Sequence, residues 1–182
     1  MIRTDRLILR PWRDADRPAF AAMNADPEVM HDFPAPLGRA ECDLKLDRYQ
    51  TTIDRRGYGR WAMERREDGL FLGYVGPMPI WDDHPCAPGV EIGWRMIRPV
   101  WGCGYASEGA AAALRDGFER AGLTEIVAYT AADNHRSRAV MRRLSMTRDA
   151  ARDFQDPAAG PFVVYAAGFR ESGRPRTGHK RQ

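Results

Sequence analysis

The stretch from Val90 to Glu108 constrains this chain more than any other part of it. Val90, Ile92, Trp94 and Met96 alternate with Glu91, Gly93 and Arg95, the period-two pattern of a strand. Downstream, Ala106, Ala110, Leu114 and Phe118 recur every four residues and Ala121 follows three later, as along one face of a helix. Between strand and helix, Gly102 and Gly104 lack a Cβ, so a ligand can approach the backbone closely. The helix start that follows offers unpaired amide N–H groups at the positive end of its dipole. Strand, glycine turn and helix in this order make a good seat for a pyrophosphate.

Three kinds of phosphate site compete for the turn. A P-loop ends in Gly-Lys-Ser/Thr to reach the outer phosphates and magnesium, and this turn has no such ending. A dinucleotide fold uses a third glycine and an early βαβ unit, whereas this turn lies past the middle of the chain. The third is an acyl-coenzyme A site. Here Trp101-Gly102-Cys103-Gly104-Tyr105-Ala106 resembles the Q/R-x-x-G-x-G/A signature of the GNAT superfamily of N-acetyltransferases. Trp101 departs from the usual first residue, but the departure is similar to the W-G-x-G-Y-A-S/T-E of the RimJ/RimL-like branch. Thr4 to Trp12 resembles that branch's first strand, Asp26 to Met30 the end of its first helix, and Asn134-His135-Arg136-Ser137 the N-x-x-S after its fifth strand. The resemblance covers roughly residues 3–147, one domain of ordinary size.

Composition narrows the setting. A chain of 182 residues suits one domain with a sizeable core. It holds no apolar run long enough to span a membrane and no leader resembling a signal peptide, so the cytoplasm is expected. Cys42, Cys86 and Cys103 are odd in number and far apart, which argues against a disulfide framework. His84 and Cys86 lack the second close pair that a metal site needs, so no metal is expected. The net charge is +3, yet Arg170, Arg174, Arg176, Lys180 and Arg181 against Glu171 place +4 in residues 170–182, leaving −1 elsewhere. The basic character therefore belongs to a tail expected to be solvated and disordered, with a domain over 1–169, and nucleic acid is not an expected partner.

The periodicities predict a strand around Leu7–Leu9, a helix capped by Asp14 and running to about Ala25, and a second helix over 39–56. Strands follow at Tyr58–Arg66 and Leu70–Pro79, then the central strand and helix, a strand at Ile126–Tyr129, a helix from Ser137 to Leu144 and a last strand at Phe162–Phe169. The order is that of a single-domain α/β protein, a mixed and mostly antiparallel sheet flanked by helices, as the GNAT resemblance also implies.

The resemblance implies acetyl-CoA as cosubstrate and a primary amine as acceptor, on a protein N-terminus or a small molecule, with a homodimer left open. It places the pantetheine arm on the backbone of Met96, Ile97 and Arg98, and the pyrophosphate on the turn from Trp101 through Gly102, Cys103, Gly104, Tyr105 and Ala106 to Ser107. Asn134 and Ser137 are expected near the pantetheine end. Glu91 is the candidate general base, since desolvation on an apolar strand can raise a carboxyl pKa toward the useful range. It is equally a candidate for a salt bridge with Arg95 on the same strand face. Ser137 is the candidate acid, or simply a helix cap. The tyrosine acid of many GNAT enzymes is replaced here by Met141, and Ser145 stands where a glycine usually ends the last helix. Met141 and the doubtful Glu91 keep open a non-catalytic CoA-binding sensor or scaffold. Trp12, Phe33, Trp61, Trp81 and Tyr165 are candidates for an acceptor pocket. A protein acceptor needs a wide cleft beside 27–38, a small amine a closed, acid-lined pocket.

Overall fold

The strand and helix around the glycine turn sit at the middle of a nine-stranded sheet in a computed structural model that describes residues 1–31, 35–157 and 159–169. The elements are β1 (Ile2–Arg3), β2 (Leu7–Arg10), α1 (Arg17–Ala25), α2 (Arg39–Arg56), β3 (Trp61–Arg65), β4 (Phe71–Pro79), β5 (Val90–Met96), α3 (Tyr105–Glu119), β6 (Glu125–Ala131), α4 (His135–Arg143), β7 (Thr147–Arg148), β8 (Phe154–Asp156) and β9 (Gly160–Gly168). The sheet order is β1-β2-β3-β4-β5-β6-β9-β7, with β8 on β9. Every pairing is antiparallel except β5 with β6.

Register decides which face each residue takes. Val75 opposes Trp94 and Tyr74 opposes Arg95, so Ile92, Trp94 and Met96 share one face while Glu91, Gly93 and Arg95 share the other. Helix α3 covers the Val75 face so closely that a Cβ at its Gly109 would lie 3.1 Å from Val75 and 3.4 Å from the Met63 sulfur. Helices α1 and α2 cover the opposite face, where Trp12, Phe20, Tyr49 and Tyr74 form a chain of ring contacts. Phe20 is fully buried there, as Leu9 is on the α3 face, each worth about 1.5–3 kcal/mol of apolar transfer.

Local chemistry differs from the sequence expectation at two points. Asp14 does not cap α1: Asp14–Asp16 form a short 3-10 turn, and buried Asp16 accepts the Arg13 amide at 2.8 Å and the Arg10 guanidinium. Ser137 does not cap α4; Asn134 does, its Oδ1 accepting the Ser137 N–H at 2.9 Å. Ser145 takes the left-handed conformation that its position demands, with φ of +57°. No helix among the described residues is long and apolar enough to cross a membrane. The basic tail, residues 170–182, lies outside the described residues, as does Phe33.

Candidate active site

Parallel strands β5 and β6 share a single bridge, Glu91 to Val127, and then part. A cleft of about 1420 Å³ opens there, walled by Trp94 and Met96 on one side and Tyr129 to Ala131 on the other. One end reaches the glycine turn and the other reaches α2 and the loop between β4 and β5.

The turn end is made mostly of backbone. Gly102 and Gly104 have φ of +79° and +84°, a region that L side chains rarely adopt. An added Cβ at Gly102 would meet open space, so nothing in the protein fills the concavity. Helix α3 begins at Tyr105, and the amides of its first turn have no intrahelical acceptor. Arg6 locks the turn from below, donating to the Cys103 carbonyl at 3.0 Å and lying 4.5 Å over the Tyr105 ring. Its ion pair with Glu108 at 2.6 Å offsets the one acidic charge in this first helical turn. Partial burial pushes the Glu108 carboxyl up, but hydrogen bonds from Thr4 and Arg6 outweigh it and hold the group below its ordinary range. Arg136 stacks 4.5 Å over Trp101 and adds positive charge at the rim. A doubly charged phosphate group fits this end in shape and sign.

Backbone polarity continues along β5. Ile97 donates to the Leu72 carbonyl at 2.9 Å, and ladder alternation then turns the amides and carbonyls of Trp94 and Met96 away from β4. The Met96 carbonyl accepts the Trp101 indole N–H at 3.0 Å, tying strand to turn. The remaining groups face the cleft, where an extended amide-bearing ligand could pair with them as a further strand would.

The far end is made of side chains. Buried Arg60, just before β3, lies flat over Gly93 and donates to the Gly76 carbonyl and to Glu91. A Cβ on residue 93 would come within 2.6 Å of the Arg60 guanidinium, so any other residue there must displace that group. Burial works against the Arg60 charge, but Glu91, Tyr49 and Tyr74 more than offset it and its pKa is raised. The Glu91 side chain keeps 17% of its surface exposed and lines the cleft. The buried rings of Tyr49 and Tyr74 pack close by, 5.3 Å apart between centroids. Burial pushes the Tyr74 phenol up, but Arg95, Lys45 and Arg60 pull it below its ordinary value.

Residues 6–147 match the acetyltransferase (GNAT) domain family. The chain belongs to that family. The FsC-acetyl coenzyme A-N(2)-transacetylase of Aspergillus fumigatus is 32% identical over 155 residues, 80% of this chain and 64% of that protein. The solved acetyltransferase of Agrobacterium tumefaciens is 28% identical, with a TM-score of 0.78 over 92% of this chain and 94% of its own. RimL, the ribosomal L7/L12 alpha-N-protein acetyltransferase solved in complex with coenzyme A, shares the fold at 17% identity, with a TM-score of 0.71 over 91% of this chain and 95% of its own.

Within this GNAT fold the cleft gathers Glu91, Met96, Trp101 to Ser107, Asn134 and Ser137. Ile97 and Arg98 are not on its wall: the Ile97 amide is committed to β4, and exposed Arg98 pairs with Asp26 at 3.3 Å. Trp94, which the sequence did not single out as a site residue, lines the cleft. The expected Glu91–Arg95 bridge is replaced by Glu91–Arg60. Residues four apart on a strand are about 13 Å apart, too far for a direct pair, and Arg95 instead donates to Asn24 at 2.8 Å. Of the candidate aromatics, Trp81 lines the cleft, while Trp12, Trp61 and Tyr165 are buried in the core. His84 spends Nδ1 on the Cys86 amide at 3.1 Å and stacks on Tyr129 at 4.5 Å between centroids. Among the described residues no group of three His, Cys, Asp or Glu could hold a metal. The acid-lined pocket expected for a small amine is also not what the far end provides, since Lys45, Arg48, Arg60 and Arg95 all line it.

Proposed function

We propose that this GNAT protein is a cytoplasmic enzyme of the RimJ/RimL-like branch that transfers the acetyl group of acetyl-CoA to a primary amine by direct attack. The observation that carries it is the continuous cleft from the left-handed glycine turn, along the backbone edge of β5, to Glu91. The pyrophosphate would rest on the amides from Gly102 to Ser107 and the pantetheine arm along Trp94 and Met96, with Asn134 beside it. The acceptor's ammonium group loses a proton to Glu91, through water, and the nitrogen of the resulting amine forms a bond to the thioester carbonyl carbon. The C–S bond then breaks. The thiolate takes up one proton, for which Ser137 at the cleft wall is the hydrogen-bonding hydroxyl, and the new amide nitrogen gives up its second proton to solvent. Arg60 acts through Glu91 as a positioning residue: it fixes one carboxylate oxygen and leaves the other to the cleft.

Release of thiol from acetyl-CoA in the presence of a panel of primary amines tests this reading. Glu91→Gln is expected to lower kcat by about 10²–10⁴-fold, the usual contribution of a general base. A second reading, a CoA-binding sensor without turnover, draws on buried Met141 at the tyrosine position and on the engagement of Glu91 by Arg60. Coenzyme A binding with no thiol release from any amine would select it.

A further inference from the structure

The side of the cleft formed by β6, β8 and β9 is aromatic, and sheet register places it on the face of Glu91. Glu91 bridges Val127 across the parallel pair, Ala131 opposes Phe162, and Phe162 opposes Phe154. Opposed residues share a face and alternate residues of a strand return to it, so Glu91, Tyr129, Phe162 and Phe154 project to one side of the sheet. Their rings form a continuous surface. Phe154 stacks on Phe162 at 5.1 Å between centroids and meets Tyr129 edge to face at 5.7 Å, while His84 stacks on Tyr129 at 4.5 Å. Burial holds the His84 imidazole below its ordinary pKa against the pull of Glu91 and Asp83, so this ring is uncharged at neutral pH. Tyr129 and Phe154 rest on a small second core of Ile80, Cys86, Val127 and Val164, which fixes the wall in place. Yet Tyr129, Phe154, Phe162 and His84 are only half-buried and line the cleft, as does Trp81, which is 54% exposed. Rings left open to a concave space are the lining of a ligand pocket, and a ligand that covers them removes apolar surface from water.

We propose that the acceptor amine carries an aromatic ring, which packs on Tyr129, Phe154 and Phe162 while its nitrogen reaches Glu91. The inference rests on the acetyl-transfer reading and adds the acceptor's chemical class. The cosubstrate does not account for the wall: the pantetheine path follows Trp94 and Met96, whose side chains project to the opposite face of β5 from Glu91. The acceptor, whose nitrogen must come to Glu91, is the molecule that meets the rings on Glu91's own face. The Glu91 charge draws the ammonium group, and ring faces tolerate a cation passing over them. A ring on the acceptor adds stacked or edge-to-face contacts to the burial of its area. A compact alkylamine reaches the same carboxylate but leaves the wall uncovered.

The test compares phenethylamine, tyramine and tryptamine with butylamine as acceptors. In the wild type the aromatic amines are expected to show kcat/KM at least about tenfold above butylamine, the effect of burying one ring. Phe154→Leu and Phe162→Leu are each expected to lose most of that ratio through KM, whereas Tyr129→Phe, which keeps the ring, retains it. Because the ratio is taken within each protein, a loss of folded material cancels from it. Calorimetric binding of phenethylamine and butylamine to the CoA-loaded protein gives a readout independent of turnover. Equal values for aromatic and alkyl amines, or an aromatic advantage that neither leucine variant reduces, overturns the inference even if acetyl transfer proceeds. Phenethylamine binding that Phe154→Leu weakens, without turnover of any amine, leaves the aromatic seat standing and removes the acetyl-transfer reading instead. Phenylalanyl against alanyl tripeptides, set beside the free amines, show whether the ring arrives on a small molecule or on a chain N-terminus.

Discussion

The two ends of the cleft are built from different materials. At the glycine turn, recognition comes from backbone amides, two left-handed glycines and a helix terminus, all within seven consecutive residues from Gly102 to Glu108. At the far end it comes from side chains that α2, the start of β3 and β5 bring together from residues 45 to 95. A backbone site is rigid and indifferent to which side chains surround it, which suits a ligand shared by a whole family. A side-chain site is altered one residue at a time, which suits an acceptor that varies. The same division appears in the charges. At the turn, Arg6 offsets Glu108 and leaves the helix dipole to act. At the far end, cationic side chains and the Arg60–Glu91 pair line the cleft.

The division can be broken by substitution. Arg60→Met removes the partner of a largely buried carboxylate, and a stability loss of about 3 kcal/mol is expected in denaturant unfolding. Acetyl-CoA affinity should stay within about twofold, because nothing at the turn depends on Arg60; a large change there would show that the two ends are not independent. Gly93→Ala places a methyl group 2.6 Å from the same guanidinium, and about 1–2 kcal/mol of destabilisation is expected from overpacking. Its turnover should fall with little change in cosubstrate affinity; normal turnover would mean that the flat seat of Arg60 does not position Glu91. The smallest effect belongs to the turn side, at the end of α4. Ser145→Gly relieves a φ of +57° and is expected to raise stability by about 1 kcal/mol, visible as a rise in Tm.

What could be read from the chain follows the same split. The turn and its flanking strand and helix were legible because glycine, alternation and four-residue spacing are local signals. Helix α2 was equally so, its expected span of 39–56 agreeing with Arg39–Arg56. Strands β1, β7 and β8 were not, since two or three residues carry no period and exist only through their partners β2 and β9. Arg60 gave no signal either. It stands outside any strand, 31 residues from Glu91, and only the register of β3, β4 and β5 brings the two together. The one clue was Gly93, a glycine inside a strand, which marks close approach by another group. Ser137 was read as the cap candidate and Asn134 as a residue near the pantetheine end, and only geometry shows that the asparagine is the cap, accepting the serine amide.

Isothermal titration of acetyl-CoA into the wild type and into Gly104→Glu tests the use of the turn most directly. The wild type is expected to bind, and a carboxylate on residue 104, beside the helix N-terminus and in a backbone region hostile to side chains, should weaken binding by more than about 100-fold. Equal binding by the two proteins, or no binding by the wild type, would contradict the assignment of this turn as the seat of the pyrophosphate.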